Sequence, residues 1–341
     1  IDVSLVGSEM CIRDRIKEKK RELKENSSNK AYKIMKKQLL IIAASLSLIP
    51  VGNLFAQQNQ TFIKNTETVI AKNISHNNHN ESLLESGDKK YSSKVYRGAI
   101  TDYSKILLNN PNDYYALFQR ALSKSYLNDH EGAIQDYTRA IQINPEKASA
   151  FYNRGLSKDK LKDFYGAISD FNKAIEIDDQ HQKAFINRGY AKSDIGDHQG
   201  AIKDLTSAIE INPEDAYAYS ARGYVKERAG DFYAAISDYS KAIKIDPEDD
   251  YSFIGRAYSK GQIGDNNGAI NDFSNAIEIN SDDGFAFFGR AIYNNLEGNY
   301  NQACQDWIKA SDLGYKNANK KANECSNAGN VKKSINCLLY T

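Results

Sequence analysis

One motif recurs through this chain at a spacing of 34 residues, and that period limits the fold more than any other feature. The triplet Gly-Ala-Ile, once replaced by Ala-Ala-Ile, begins at residues 132, 166, 200, 234 and 268. The spacing divides residues 114–317 into six contiguous units, and a degenerate unit precedes them over 80–113. A repeat of this length cannot bury its apolar face alone, so it is stabilised by stacking on its neighbours. The sequence therefore predicts a solenoid.

Within each unit the pattern predicts two helices. Counting positions from the start of a unit, position 4 is large and apolar and position 8 is only Ala or Gly. Positions 20 and 27 are Ala in all six units, and position 24 between them is bulky. Large residues beside very small ones allow neighbouring helices to approach closely.

The turns carry their own signals. Glycines that we expect in the left-handed conformation, each ending a first helix, are Gly196, Gly230, Gly264 and Gly298. Aspartates expected to cap the second helix are Asp129, Asp163, Asp197, Asp231 and Asp265. At the end of a unit, Asn144-Pro145 and its equivalents are expected to cap the next first helix, with the proline in its first turn.

Two charged positions are constant across the six units. Position 7 is Arg120, Arg154, Arg188, Arg222, Arg256 and Arg290. Position 23 is Asp136, Asp170, Asp204, Asp238, Asp272 and Asp306. We predict an Arg–Asp ladder that links the two helices of each unit, because a guanidinium group near a core requires a carboxylate. The alternative is a row of cations that binds an acidic ligand.

The pattern resembles the tetratricopeptide repeat (TPR) family over residues 80–317. The resemblance rests on an aromatic residue at positions 4 and 24, a small residue at 8, Ala at 20 and 27, and Pro at 32. Position 7 departs from the usual leucine and position 11 from the usual tyrosine, as in the Asn-Arg-Gly repeats common in bacteria. The resemblance implies an all-α fold in which antiparallel helix pairs stack into a right-handed superhelix. It also implies a concave groove, which the family uses to dock proteins or peptides.

The first helix of each unit carries two distinct stripes. Positions 4, 7, 8 and 11 form the stacking seam, and positions 2, 5, 9 and 12 form a second stripe about 130° away, which faces the concavity. At positions 2, 5 and 9, 10 of 18 residues are aromatic, and Tyr is favoured at binding surfaces because it is large, rigid and amphipathic. The predicted ligand groove is Tyr115, Phe118, Tyr152, Tyr190, Tyr217, Tyr224, Tyr251, Tyr258, Phe285 and Phe288. The alternative is that position 9 is shielded and the groove is unused.

A long aromatic channel suits an extended or helical segment of another protein, which is the predicted partner. Tyrosine-lined grooves also stack sugars, so glycan or peptidoglycan binding is the second hypothesis. The carboxylate clamp of chaperone-binding family members is not expected, because it requires Lys and Asn at groove positions and position 5 here is Phe, Tyr, Ile or Ser.

Other classes of function are disfavoured. A net charge of +1 gives no electrostatic footprint for nucleic acid. No apolar run reaches the length of about 18 residues that a membrane-spanning helix needs, so no membrane span is expected after signal cleavage. The chain contains no HExxH motif, no phosphate-binding glycine loop and no cysteine metal set. We expect neither catalysis nor a cofactor or metal, and no pattern specifies an oligomeric state.

The N-terminal region predicts export. Residues 35–56 read as a signal peptide, with lysines after Met35, an apolar stretch over 39–49 and cleavage after Ala56. The mature protein is therefore expected to be periplasmic or secreted. Residues 57–79 are rich in Asn, Gln, Ser and Thr and are predicted to be a flexible linker.

The outermost segments need a separate interpretation. Residues 1–15 and 337–341 resemble translated sequencing-adapter read-through, and 16–34 is a doubtful upstream segment that either forms a short helix or precedes the true start. Neither adapter-like segment enters the fold prediction.

Two further predictions concern the C-terminal end of the chain. Residues 318–336 are predicted to be a capping helix and tail that cover the last apolar face. Cys304 and Cys325 fall where adjacent helices pack, so a disulfide is predicted for an oxidising compartment, with two buried thiols as the alternative.

Overall fold

The computed structural model describes residues 79–327, and these are helical apart from short turns. The adapter-like ends, the upstream segment, the signal peptide, nearly all of the linker and the C-terminal tail lie outside the described residues. No helix within 79–327 combines the length and apolar character needed to cross a bilayer.

The chain divides after Pro111 into two compact units. The described part of the first unit contains α1 (residues 79–92) and α2 (Tyr96–Asn109). The second unit contains successive helix pairs: α3 (Tyr114–Tyr126), α4 (His130–Ile143), α5 (Ala148–Lys160), α6 (Phe164–Ile177), α7 (Gln182–Asp194), α8 (His198–Ile211), α9 (Ala216–Arg228), α10 (Phe232–Ile245), α11 (Asp250–Gln262), α12 (Asn266–Ile279), α13 (Gly284–Leu296) and α14 (Tyr300–Asp312). A 3₁₀ turn over Lys316–Ala318 and helix α15 (residues 319–327) follow. The prediction of an all-α fold built from helix pairs is confirmed.

Short polar turns join the two helices of each pair. The predicted glycines take φ values from +79° to +87°, in the left-handed region. The aspartate that follows caps the second helix, as where the Asp197 carboxylate accepts a hydrogen bond of 2.9 Å from the backbone N of Gly200. The other four predicted aspartates accept the same bond at 2.9–3.1 Å. Both predictions for this turn are confirmed.

The turn between units differs from the sequence prediction. Pro145 does not lie in the first turn of α5, because that helix begins at Ala148 and Pro145 belongs to the preceding turn. The Asn144 side chain accepts a hydrogen bond of 3.2 Å from the backbone N of Glu146. This bond closes a separate Asx turn, so the prediction of a shared cap is wrong. A later residue caps the next helix instead, as Asp215 does for α9.

Small residues in the first helices make room for the bulky side chain at position 24. Phe171 is fully buried, and a Cβ added to Gly155 in the same unit would lie 2.7 Å from its ring. Phe273 packs against the next unit, because a Cβ added to Gly289 would clash with its ring. Tyr239 contacts first helices on both sides, since it lies against Gly223 of its own unit and Gly255 of the next, which makes the core continuous between these units.

Within the compact unit that follows Pro111, the first helix of each repeat lies on the inner side. Each odd-numbered helix from α3 to α11 contacts the next odd-numbered helix directly. The second helices of neighbouring units have no comparable contact. Because the stack is closest where the first helices meet, its concave side is formed by these helices.

At the C-terminal end α15 packs against α14. Cys304 of α14 and Cys325 of α15 form a disulfide, with their Cα atoms 5.5 Å apart. Both cysteines lie beside a buried cluster that includes Trp307 and Ala291. The structure thus has the disulfide rather than two free thiols at this position, and the bond fixes α15 over the last apolar face.

Candidate functional site

The arginines at position 7 and the aspartates at position 23 form six bidentate ion pairs. In each unit the arginine Nε and Nη2 donate to the two carboxylate oxygens at 2.6–2.9 Å. The aspartates are only 2–4% exposed. The predicted ladder is confirmed. The alternative of a free row of cations for an acidic ligand is wrong, because every guanidinium group is already held by a carboxylate.

A lysine completes the ladder in five units. The position 11 lysine lies 2.7–2.8 Å from the second carboxylate oxygen of the same aspartate. In the last unit this position is Asn294, and Gln302 instead donates to Asp306 at 3.1 Å. Each buried carboxylate therefore balances two cations or their polar substitute, and these cations are not available to a ligand.

The ladder also joins successive units, which the sequence analysis does not predict. Nη1 of Arg222 donates to the hydroxyl of Thr206 in the preceding unit at 3.0 Å. Equivalent bonds of 2.7–3.1 Å hold the arginines of four other units. The signal is present in the sequence, because position 25 is Thr, Asn or Ser in the five units that have a successor and is Ile308 in the last.

The same guanidinium groups lie over an aromatic ring one turn earlier. Arg188 lies 5.3 Å from the centroid of Phe185, and four other units repeat this arrangement at 5.5–5.8 Å. These cation–π contacts join positions 4 and 7 and so lie within the stacking seam. The seam is therefore a structural element, and positions 2, 5, 9 and 12 of the first helices form the candidate ligand surface.

The ten residues of the predicted groove, called here the aromatic stripe, all lie on first helices and none is fully buried. Four are exposed, with 52% for Tyr217, 48% for Tyr251, 41% for Tyr258 and 42% for Phe285. Half-buried are Tyr115, Phe118, Tyr152, Tyr190, Tyr224 and Phe288. Exposure is greatest at position 2, whereas the three aromatic residues at position 5 are all half-buried.

Rings in the middle of the stripe touch across units. The Tyr190 centroid lies 6.4 Å from that of Tyr217 and 6.2 Å from that of Tyr224. Burial, and then the neighbouring tyrosine hydroxyls, raise the pKa of Tyr190 well above its ordinary value. The Tyr190 phenol is therefore neutral at physiological pH, and the three rings provide apolar surfaces with hydrogen-bonding tips.

A carboxylate lies within this aromatic surface. Glu227 is at position 12 of its unit and is half-buried. Its Oε2 accepts hydrogen bonds from Oη of Tyr239 at 3.1 Å and Oγ of Ser259 at 3.5 Å. Burial raises the pKa of Glu227 above the ordinary value, and the two hydrogen bonds only partly oppose this effect.

Glu227 was not predicted from the sequence, although position 12 belongs to the second stripe. Its surroundings come from three helices: its own α9, then α10 with Tyr239 and α11 with Ser259. No spacing within one unit reveals such a junction. The available signal is a carboxylate at position 12, which Glu227 shares with Asp159 of another unit, whereas the other four units have Ser, Gly or Asn there.

The described part of the chain offers no arrangement of three or more His, Cys, Asp and Glu that could hold a metal ion. His181 has a structural role, because its Nδ1 accepts a hydrogen bond of 3.3 Å from the backbone N of Ala184 at the start of α7. Burial lowers the pKa of His181, in keeping with a neutral acceptor.

Comparisons with known proteins identify the same repeat. Models described as tetratricopeptide repeat match residues 148–181 and 186–250, and one described as TPR repeat matches 126–162. A search of curated proteins found no match.

Two solved structures share the fold. A tetratricopeptide repeat protein from Parabacteroides merdae ATCC 43184 is 18% identical, with a TM-score of 0.60, over 73% of this chain and 99% of that one. The C-terminal part of a TPR repeat-containing protein from Cytophaga hutchinsonii is 18% identical, with a TM-score of 0.57, over 70% and 98%. At this identity the likeness concerns the fold alone.

Proposed function

Because the chain belongs to the tetratricopeptide repeat family, we propose that it is an exported, non-catalytic scaffold that docks a segment of another protein on its aromatic stripe. TPR repeats are generally protein-interaction scaffolds, which supports the coarser part of this proposal.

The observation that carries the proposal is the exposure of aromatic side chains on the concave side. Tyr217, Tyr251 and Phe285 occupy the same position in three successive units, and about half of each side chain remains accessible. Large apolar surface in a row is characteristic of a binding site. The charged residues of the adjacent seam pair with one another, so the stripe is the surface best suited to a ligand.

The extent of the stripe favours a polypeptide segment. Its residues run over all six first helices, from Tyr115 on α3 to Phe288 on α13. An enclosed pocket suits a small molecule, whereas an open row of rings on parallel helices suits an extended or helical segment. Tyrosine hydroxyls along the row provide hydrogen bonds for the polar backbone of such a ligand.

Export is supported by two independent features. The signal peptide predicted at residues 35–56 directs the chain out of the cytoplasm. The disulfide between Cys304 and Cys325 suits an oxidising compartment, because thiols inside the cytosol are kept reduced. We therefore place the mature protein in the periplasm or outside the cell.

The docking role is tested by selecting peptides from a displayed random library on the intact chain. Binding of the selected peptides is then measured on Tyr251→Ala and on a matched control, Tyr233→Ala. Tyr233 is a 74% exposed tyrosine on α10, away from the stripe. We expect Tyr251→Ala to weaken binding about tenfold, as for a hot-spot tyrosine, and the control to change it less than about twofold.

Other outcomes contradict the proposal. If no peptide is selected, or if only Tyr233→Ala reduces binding, the stripe is not a peptide-docking surface. Soluble peptidoglycan fragments and neutral glycans provide the comparison for the sugar-stacking hypothesis. Binding of a glycan that Tyr251→Ala abolishes, without any peptide binding, would replace the peptide with a carbohydrate ligand.

A further inference from the structure

The Glu227 carboxylate has no cationic partner within the described residues. Its two neighbours in sequence are cations, but Lys226 pairs with Asp238 at 2.7 Å and Arg228 pairs with Asp194 at 2.7 Å. Among residues 79–327, no lysine or arginine lies within 4 Å of Glu227, the distance of an ion pair. Partly removing a carboxylate from water without a counterion is unfavourable, so this arrangement needs a reason.

Both internal hydrogen bonds reach the same oxygen of this carboxylate. Tyr239 and Ser259 donate to Oε2, and Oε1 has no hydrogen-bond partner among the described residues. Oε1 is also absent from the buried polar atoms that lack a partner, so it remains accessible to a ligand. The carboxylate is thus held in place through one oxygen and offers the other.

Aromatic side chains lie near this carboxylate. Tyr239 donates a hydrogen bond to it, and burial, with a smaller contribution from the charge of Glu227, raises the pKa of Tyr239, Tyr251 and Tyr293. Tyr224 and Tyr258 contribute to the same shifts, so they belong to the same neighbourhood. Tyr251 and Tyr258 are also exposed members of the aromatic stripe. A carboxylate among aromatic faces attracts cations by charge and by cation–π interaction.

We propose that Glu227 and the tyrosines around it receive a lysine or arginine side chain of the docked protein segment. The inference rests on the proposed docking function and states which ligand residue that function requires. The cation pairs with Oε1, and its aliphatic stem lies along Tyr251 and Tyr258. Lysine and arginine have this combination of an apolar stem and a charged end.

The geometry disfavours other cations. A divalent metal ion requires six or more oxygen ligands for Ca²⁺ and a near-octahedral set for Mg²⁺, whereas this neighbourhood supplies a single carboxylate. A small free ammonium ion lacks the stem that fits the tyrosines. An anionic segment would meet an unpaired carboxylate and be repelled.

A matched residue provides the control. Asp159 occupies position 12 of the second unit, is half-buried, and has a pKa raised by burial, like that of Glu227. It differs in that Lys160 lies close enough to oppose part of this rise in pKa, and within residues 79–327 no tyrosine donates a hydrogen bond to it. Asp159→Asn therefore removes a carboxylate from position 12 of another repeat without removing the proposed cation site.

The test combines a change in the peptide with a change in the protein. Library-selected peptides that contain Lys are labelled with a fluorophore, and their Kd is measured by anisotropy on the intact chain, Glu227→Gln and Asp159→Asn. Each peptide is compared with a version in which that lysine is Nε-acetylated, which removes the charge and keeps the stem. We expect acetylation to weaken binding to the natural chain about tenfold, and Glu227→Gln to weaken binding of the unmodified peptide similarly. On Glu227→Gln, acetylation should then have little further effect, and Asp159→Asn should change each Kd less than about twofold.

The outcomes separate the two levels of the proposal. Peptides that need Tyr251 but show no preference for Lys or Arg, or that bind Glu227→Gln as well as the natural chain, overturn the cation site and leave the docking role intact. Failure to select any peptide overturns both. An equal effect of Asp159→Asn shows a diffuse negative face and also overturns the specific site.

Discussion

Arg188 and Asp204 are joined by two parallel hydrogen bonds, from Nε to Oδ2 at 2.8 Å and from Nη2 to Oδ1 at 2.7 Å. Lys192 lies 2.8 Å from Oδ2, and the carboxylate is almost fully buried. The arginine also reaches Asn172 of the preceding unit through Nη1 at 2.7 Å. Arg188 therefore links the two helices of its unit to each other and to the unit before it, contacts that a leucine side chain could not make.

Breaking this pair should destabilise the solenoid strongly. In Asp204→Asn the two cations Arg188 and Lys192 lose their carboxylate in a buried setting, and we expect unfolding to become easier by about 3 kcal/mol. Urea denaturation of the intact chain measures the change. Lys173→Ala, which removes an exposed ion pair with Glu176, is the control and should cost no more than about 0.5 kcal/mol. Equal effects of both substitutions would contradict a structural role for the ladder.

Reduction should loosen the C-terminal end. Breaking the Cys304–Cys325 bond releases a loop with a sequence separation of 21 residues, and we expect a loss of about 3 kcal/mol. Hydrogen exchange should increase in α14 and α15 and stay unchanged in α3 to α6, because each solenoid unit contacts only its neighbours. The double variant Cys304→Ser, Cys325→Ser should not respond to dithiothreitol. A response equal to that of the natural chain would mean that another thiol is responsible.

Glu227→Gln should stabilise the protein at neutral pH. The pKa of Glu227 in the folded chain is above the ordinary value of 4.5, so its ionised form is less favourable in the folded than in the unfolded state. This cost is fully present above the folded pKa and disappears as the pH falls through it. The variant is therefore expected to have a higher Tm than the natural chain at pH 7, with the difference shrinking towards pH 4.5.

Neighbouring groups do not obscure this titration. The pKa values of Tyr239, Tyr251 and Tyr293 are raised, so these phenols stay neutral over the whole range. Lys226 and Arg228 are held by other carboxylates. An exposed control, Glu176→Gln, should show little change in Tm at either pH. A lower Tm for Glu227→Gln at pH 7 would mean that a cation of the chain itself stabilises Glu227.

Much of the fold follows from residue types at a fixed spacing. The helix pairs, the left-handed glycines and the Asp197 cap each depend on a few neighbouring residues, so the sequence predicts them directly. The Arg188–Asp204 pair is also accessible, because both residues belong to one unit and recur together. Pro145 was misplaced because an Asx turn and a helix cap use the same residue types and differ only in backbone geometry.

The remaining features depend on how the units stack. The bond from Arg222 to Thr206 requires the offset between two units, which no pattern within one repeat defines. The Glu227 carboxylate is held by hydrogen bonds from Tyr239 and Ser259, which lie on two other helices. The helical period assigns position 12 to the second stripe, but the lack of a counterion among residues 79–327 emerges only when all three helices are assembled.

The central claim is that the aromatic stripe holds a polypeptide ligand, and site-specific photocrosslinking tests it most directly. A photoreactive phenylalanine analogue replaces Tyr217, Tyr251 or Phe285 on the stripe, and Tyr165 or Tyr233 on second helices as exposed controls. A library-selected peptide should crosslink from the three stripe positions and not from the two controls. Crosslinks from Tyr165 or Tyr233, with none from the stripe, would contradict the account.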